Sequence, residues 1–91
     1  MNILAIFDIN FKTNRLRLED TLRHFGLGKI QNNAYVGKLD NMELIDLKKE
    51  IKSIVRIKDS VLIFPICESC YSKKENFGRE IKFSEDFYRV F

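Results

Sequence analysis

An α+β fold is predicted from three observations. Four short β-like stretches, at residues 3–9, 29–31, 34–39 and 60–64, have the length and composition of β-strands. Two stretches between them carry apolar residues at helical spacing. The resulting order is β-α-β-β-α-β, the split βαβ or ferredoxin-like arrangement. It packs two helices on one face of a four-stranded antiparallel sheet.

The first run, Ile3-Leu4-Ala5-Ile6-Phe7-Asp8-Ile9, reads as a central strand with one carboxylate near its exit. A polar loop, residues 10–14, follows. Thr13 or Asn14 suits the cap of a helix running to Phe25, with Leu18, Leu22 and Phe25 as its apolar stripe. Gly26 is placed to stop that helix as a C′ glycine. Lys29-Ile30-Gln31 and the run from Ala34 to Leu39 form a strand pair, turned at Asn32-Asn33. Asp40, with Glu43 three residues on, has the form of a capping box. It opens a helix whose buried stripe is Leu44, Leu47, Ile51 and Ile54. Residues 56–59 are a polar connection. The last strand then runs to Pro65, which ends it or marks a sheet edge.

Ninety-one residues make a single domain, residues 1–91. No apolar stretch approaches the roughly 20 residues of a membrane span. No basic leader precedes a cleavage site, so the sequence reads as that of a cytoplasmic protein. The formal net charge of +3 is compatible with nucleic acid without requiring it. Cys67-Glu68-Ser69-Cys70 supplies at most two zinc ligands, and the only histidine, His24, is distant in sequence. The residues from Lys73 on are poor helix formers, unlike a thioredoxin-type site. The two cysteines therefore read as ordinary thiols in a reducing compartment.

The tail, residues 71–91, brings Ile81, Phe83, Phe87, Tyr88, Val90 and Phe91 after the core elements are complete. So many apolar side chains are costly to expose. The expectation is a strand at residues 87–91 that joins the sheet edge of a second copy. The alternative is a tail folded back on its own subunit.

Asp8 has two readings. It caps the following turn or helix, or it serves metal or phosphate chemistry beside a basic helix start. Arg15 and Arg17 lie in the first turn after it, where free N–H groups favour anions; their alternative is a solvated surface. Phosphodiester hydrolysis needs charge stabilisation and an activated water, both available from Mg²⁺. One carboxylate is a thin ligand set for that ion. A catalytic Asp8 therefore requires a homodimer with the two strand ends near its dyad.

Several segments together carry a resemblance. They are Phe7-Asp8-Ile9, Arg15 and Arg17, the run from Gly26 to Gln31, the run from Tyr35 to Leu39, and Lys58-Asp59-Ser60-Val61 leading to Phe64-Pro65-Ile66. In this order and spacing the chain resembles the small CRISPR-associated protein that accompanies the spacer integrase during adaptation, a family known as endoribonucleases. The resemblance implies Asp8 as ligand of Mg²⁺ or another divalent cation. It implies Arg15 and Arg17 in nucleic-acid contact. Phe7 stands where tyrosine is usual, Tyr35 where phenylalanine is common, and Lys29 where arginine is common. Lysine there keeps the charge and loses the bidentate fork. Asn33 replaces a usual serine.

The function expected is a weak metal-dependent endonuclease, cutting single-stranded RNA, duplex DNA or both, that works with the integrase in acquiring spacers against foreign nucleic acid. Lys12, Arg15, Arg17 and Lys29 are the nearest phosphate-binding candidates, joined by Arg56, Lys58, Lys73 and Lys74. A different class is a non-catalytic dimer that holds duplex DNA between integrase dimers. A third is a toxin-like nuclease acting on messenger RNA, since this architecture hosts many functions.

Overall fold

β1 (Asn2–Asp8) is an interior strand, paired antiparallel with β3 (Ala34–Lys38) on one side and β4 (Ser60–Ile66) on the other. The computed structural model describes residues 1–83. β2 (Gly28–Gln31) pairs antiparallel with β3, giving the sheet order β2-β3-β1-β4. This is the ferredoxin-like α+β architecture that the element order predicts.

The pleat sorts β1 into two faces. Ile3, Ala5 and Phe7 are buried in one cluster with Leu18 and Leu22 of α1 (Lys12–His24) and Leu44, Leu47, Ile51 and Ile54 of α2 (Asn41–Ile54). Leu4, Ile6 and Asp8 alternate with them and point to the other face. Ile9, beyond the strand, is still buried.

α2 starts as its sequence predicts. The Asp40 carboxylate accepts from the Glu43 backbone N–H at 2.8 Å, and the Glu43 carboxylate accepts from the Asp40 N–H at 3.0 Å. These two bonds satisfy donors that an uncapped helix start leaves open.

α1 starts differently. Its N-cap is Phe11, which makes no side-chain cap bond. Thr13 and Asn14, the expected caps, lie inside the first turn, because the helix begins before either of them. Its C-terminus closes as expected. Gly26 has φ +91°, and its N–H and that of Leu27 donate to Arg23 and Leu22 oxygens at 2.9 and 3.0 Å. This is a Schellman ending, with the left-handed residue supplied by glycine.

Pro65 lies within β4 and does not end it. β4 is an edge strand, where a missing N–H is tolerated. After β4 the chain forms α3 (Glu68–Ser72), a short helix with Cys67 as its N-cap. The expected loss of helix from Lys73 onward holds, but this five-residue turn was not foreseen. The Glu68 carboxylate pairs with the Lys38 ammonium at 3.5 Å and ties α3 to the end of β3. Tyr71 is buried, and Phe83 meets it edge-on with ring centroids 5.8 Å apart. Lys74 lies over the Tyr71 ring at 3.7 Å and over the Phe83 ring at 4.6 Å. The first part of the tail thus packs on its own subunit. The expected exchange strand at residues 87–91 lies outside the described residues. Among the described residues no helix is long and apolar enough to cross a membrane.

Candidate functional site

Asp8 ends β1 opposite Ser60 of β4, with its side chain exposed on the face away from the helices. Behind it on that face the register stacks two apolar rungs, Ile6 opposite Leu62 and Leu4 opposite Phe64. Ile6, Leu62 and Phe64 are 39%, 54% and 46% exposed. The carboxylate therefore stands at the end of an open apolar ladder. The choice between capping residue and functional acid is informed by its position: Phe11 occupies the N-cap position of α1, and Asp8 stays in the strand.

The polar connections beyond Asp8 are stapled together. The Asp59 carboxylate accepts from the Asn10 backbone N–H at 2.9 Å, the Asn10 side-chain amide at 3.2 Å and the Arg56 N–H at 3.0 Å. The Asn10 amide also donates to the Lys58 oxygen at 2.9 Å. These donors, the Asn10 and Arg56 backbone N–H groups foremost, hold the Asp59 carboxyl below the usual carboxylate range. The clamp fixes two loops against each other at the Asp8 end of the sheet.

Phe7 and Tyr35, the family-matched aromatics, are on the opposite face from Asp8. Both are buried, with ring centroids 6.0 Å apart. The Tyr35 hydroxyl donates to the Glu19 carboxylate at 2.9 Å, and the Lys29 ammonium lies 3.7 Å from the same oxygen. Burial first, then the Glu19 hydrogen bond, pushes the Tyr35 phenol up to about 12. The Arg23 guanidinium lies 5.7 Å from the Tyr35 ring centroid. Two candidates from the sequence, Lys29 and Tyr35, therefore meet on Glu19, a buried acid that the sequence reading did not single out. Its signal was a charged residue beside the Leu18 and Leu22 stripe.

The basic candidates are dispersed. Lys12 is exposed at the start of α1, and Arg15 is half-buried in its first turn. Arg17 is exposed and lines a cleft of about 720 Å³ with Leu16, Asp20, His24, Phe25 and Glu50 of α2. It belongs to the helix layer, whereas Asp8 faces away from it. Of the two arginines so close in sequence, only Arg17 lines that cleft. His24 is exposed, as expected.

The two cysteines are free thiols, as the sequence suggests, and they touch each other. The Cys70 N–H donates to the Cys67 sulfur at 3.4 Å. That bond first, and a thiol hydrogen bond from Cys70, pull the Cys67 thiol down. Cys70 is pushed up, first by its hydrogen bond to Cys67 and then by the negative charge there. Both remain free and exposed.

Among the described residues no group of three or more His, Cys, Asp or Glu side chains is assembled to hold a metal ion. A hard oxygen ligand such as Asp8 suits Mg²⁺, which keeps several waters. Of the two carboxylates at this end of the sheet, Asp59 is already engaged by three hydrogen bonds, and Asp8 is the one left exposed.

Comparison with known proteins fits this fold. Over 70 residues the chain is 33% identical to CRISPR-associated endoribonuclease Cas2 1 of Archaeoglobus fulgidus, covering 76% of this chain and 74% of the relative. It is 34% identical over 56 residues to a CRISPR-associated endonuclease Cas1/endonuclease Cas2 fusion of Thermoproteus tenax, spanning 62% of this chain and 21% of the fusion. A crystal structure of cas2 superposes with a TM-score of 0.65 at 31% identity, over 70% of this chain and 71% of the other. The family model for CRISPR associated protein Cas2 matches residues 1–74, from the first strand through α3. The chain belongs to the CRISPR associated protein Cas2 family.

Proposed function

We propose that this chain is a homodimeric, divalent-metal-dependent endonuclease that acts with the CRISPR integrase in acquiring new spacers. The observation that carries the reading is the position of Asp8, exposed at the end of an open apolar ladder in a chain of this family. Joining two such ladders about a dyad covers Ile6, Leu62 and Phe64 and draws the two Asp8 carboxylates toward one place. Two carboxylates with water suit Mg²⁺; when bound, the ion supplies charge neutralisation at the phosphate and an acidified water. The protein's own part is to bind and orient. Lys12 and Arg15 at the start of α1 neutralise phosphates next to the scissile bond. His24 lies at the far end of α1, so it is not within reach to act as a base. The resulting catalyst is slow.

The relative from Archaeoglobus fulgidus is named an endoribonuclease, which supports RNA as a substrate. The fusion from Thermoproteus tenax joins a Cas1 and a Cas2 endonuclease in one chain, which supports the integrase as partner. That fusion also favours a second reading, a dimeric scaffold that holds duplex DNA between integrase subunits without cutting it. One experiment separates the two. Wild type and Asp8→Ala are incubated with single-stranded RNA and with duplex DNA, each with Mg²⁺ or a chelator. The nuclease reading expects cleavage by wild type with Mg²⁺, lost by roughly a hundredfold or more in the variant and in the chelated sample, with duplex binding unchanged. Duplex binding with no cleavage by wild type supports the scaffold.

A further inference from the structure

Immediately beyond Asp8 the clamped loops form a tip that neither the metal site nor the dimer face uses. Phe11 is 59% exposed, and the Arg56 guanidinium lies 5.3 Å from its ring centroid. Ile57 is fully exposed beside them, flanked by Arg56 and Lys58. Asn10, Phe11, Arg56, Ile57, Lys58 and Asp59 line a cleft of about 250 Å³. That is smaller than the roughly 300–1,000 Å³ of pockets that enclose whole drug-sized ligands. It suits one flat ring.

A large aromatic side chain left open in water is unfavourable unless something covers it. Here it carries a cation over its ring, and the acid of the tip, Asp59, has its carboxylate already engaged by three hydrogen bonds. Around that engaged acid the cleft offers an aromatic ring, a guanidinium, an isoleucine and a lysine. This set complements a planar base attached to a phosphate. Bases stack on aromatic rings and on guanidinium planes, and lysine neutralises the backbone. A paired base keeps its faces inside the duplex, so the ring selects an unpaired one.

We infer that Phe11 and Arg56 form a stacking platform for one unpaired nucleotide of a single-stranded nucleic acid, held beside Asp8 by the Asn10–Asp59 clamp. The inference rests on the nucleic-acid reading above and narrows its substrate to single strands or to unpaired positions next to the cut. The tip has a fixed shape before binding, because the clamp ties Asn10 to Asp59 and Lys58 across 49 and 48 positions of chain. A pre-ordered platform pays less on binding than a loop that must order itself.

The test measures binding in chelator, so that cleavage plays no part. A labelled oligoadenylate RNA of about ten nucleotides and a duplex of the same length are titrated with wild type, Phe11→Ala and Phe11→Trp. The Phe11→Ala protein weakens single-strand binding roughly 5- to 100-fold, while duplex binding stays within about twofold. The chain has no tryptophan, so Phe11→Trp installs one tryptophan per chain, excited apart from the tyrosines, that the single strand quenches and the duplex does not. Circular dichroism confirms that both variants fold, as expected for an exposed side chain. Unchanged binding by Phe11→Ala, binding to Phe11→Trp without quenching, or no single-strand binding by wild type each overturns the inference. The first two outcomes leave the nuclease reading standing, since Asp8 and its metal are not probed.

Discussion

At the residue scale the organising groups are acids in contrasting surroundings. Glu19 is buried and engaged by the Tyr35 hydroxyl and Lys29, so it orders the β2 edge of the core. Asp59 is engaged by backbone donors and orders the loops beside Asp8. Asp8 is exposed at the end of its strand. The Asp59 carboxyl is held below its ordinary value of 3.8 in the folded state. Its contribution to stability is therefore complete above that value and lost as pH falls through the lower folded value. Asp59→Asn should lower the thermal midpoint at neutral pH, and the gap to wild type should close in acid below about pH 4. Melts of both proteins across pH 2 to 7 check this; a gap independent of pH would mean that the carboxylate charge is not what staples the loops.

Several of these roles could not be read from the sequence. Asn10 and Asp59 are separated by 49 positions, and no local pattern links them. Glu19 sits next to a legible apolar stripe, but its partners come from the register of β2 and β3. Asp8 was legible because a carboxylate that interrupts an apolar run is a local signal. The second carboxylate that the proposed dimer would bring to it was not, because a dyad is not written in one chain.

At the element scale, local chemistry decided what was legible. The box of Asp40 and Glu43 satisfies its own helix start, so the sequence located α2 correctly. α1 has no such device, and two plausible caps within a polar loop misplaced its start. α3 is too short to show a periodicity, so its five residues passed as tail. Strand β3 also hides a packing demand. A Cβ built on Gly37 would lie 2.9 Å from the Gly26 oxygen and from the Leu27 Cα, both backbone atoms. The strand must therefore run bare past the turn that ends α1. Gly37→Ala should cost about 1–3 kcal/mol, read as a lower denaturation midpoint in urea with the slope unchanged. Unchanged stability would show that the turn after α1 yields easily to β3.

At the scale of the whole molecule, the sheet has one covered face and one largely open one. Helices bury Ile3, Ala5 and Phe7, whereas the open face carries Ile6, Leu62 and Phe64 up to Asp8. This asymmetry is what the βαββαβ order implies, and it was legible before any coordinates. Which copy or partner covers the open face was not, since alternation fixes a face and not its occupant. The proposed dimer predicts that Phe64→Glu, a charge placed in the middle of that face, leaves the fold intact and shifts the protein to monomer. Light scattering on the purified variant checks this. A variant that stays dimeric would move the interface away from the open sheet face.

In the proposed dimer two Asp8 residues, one from each subunit, make a single metal-dependent site. Its most direct measurement is cleavage of single-stranded RNA with Mg²⁺ at a fixed amount of wild type, before and after subunit exchange with an equal amount of Asp8→Ala chain. A shared site leaves only wild-type dimers active, and random pairing then lowers the rate to about one half. An unchanged rate after verified exchange would show that each Asp8 works within its own subunit and would contradict the shared site.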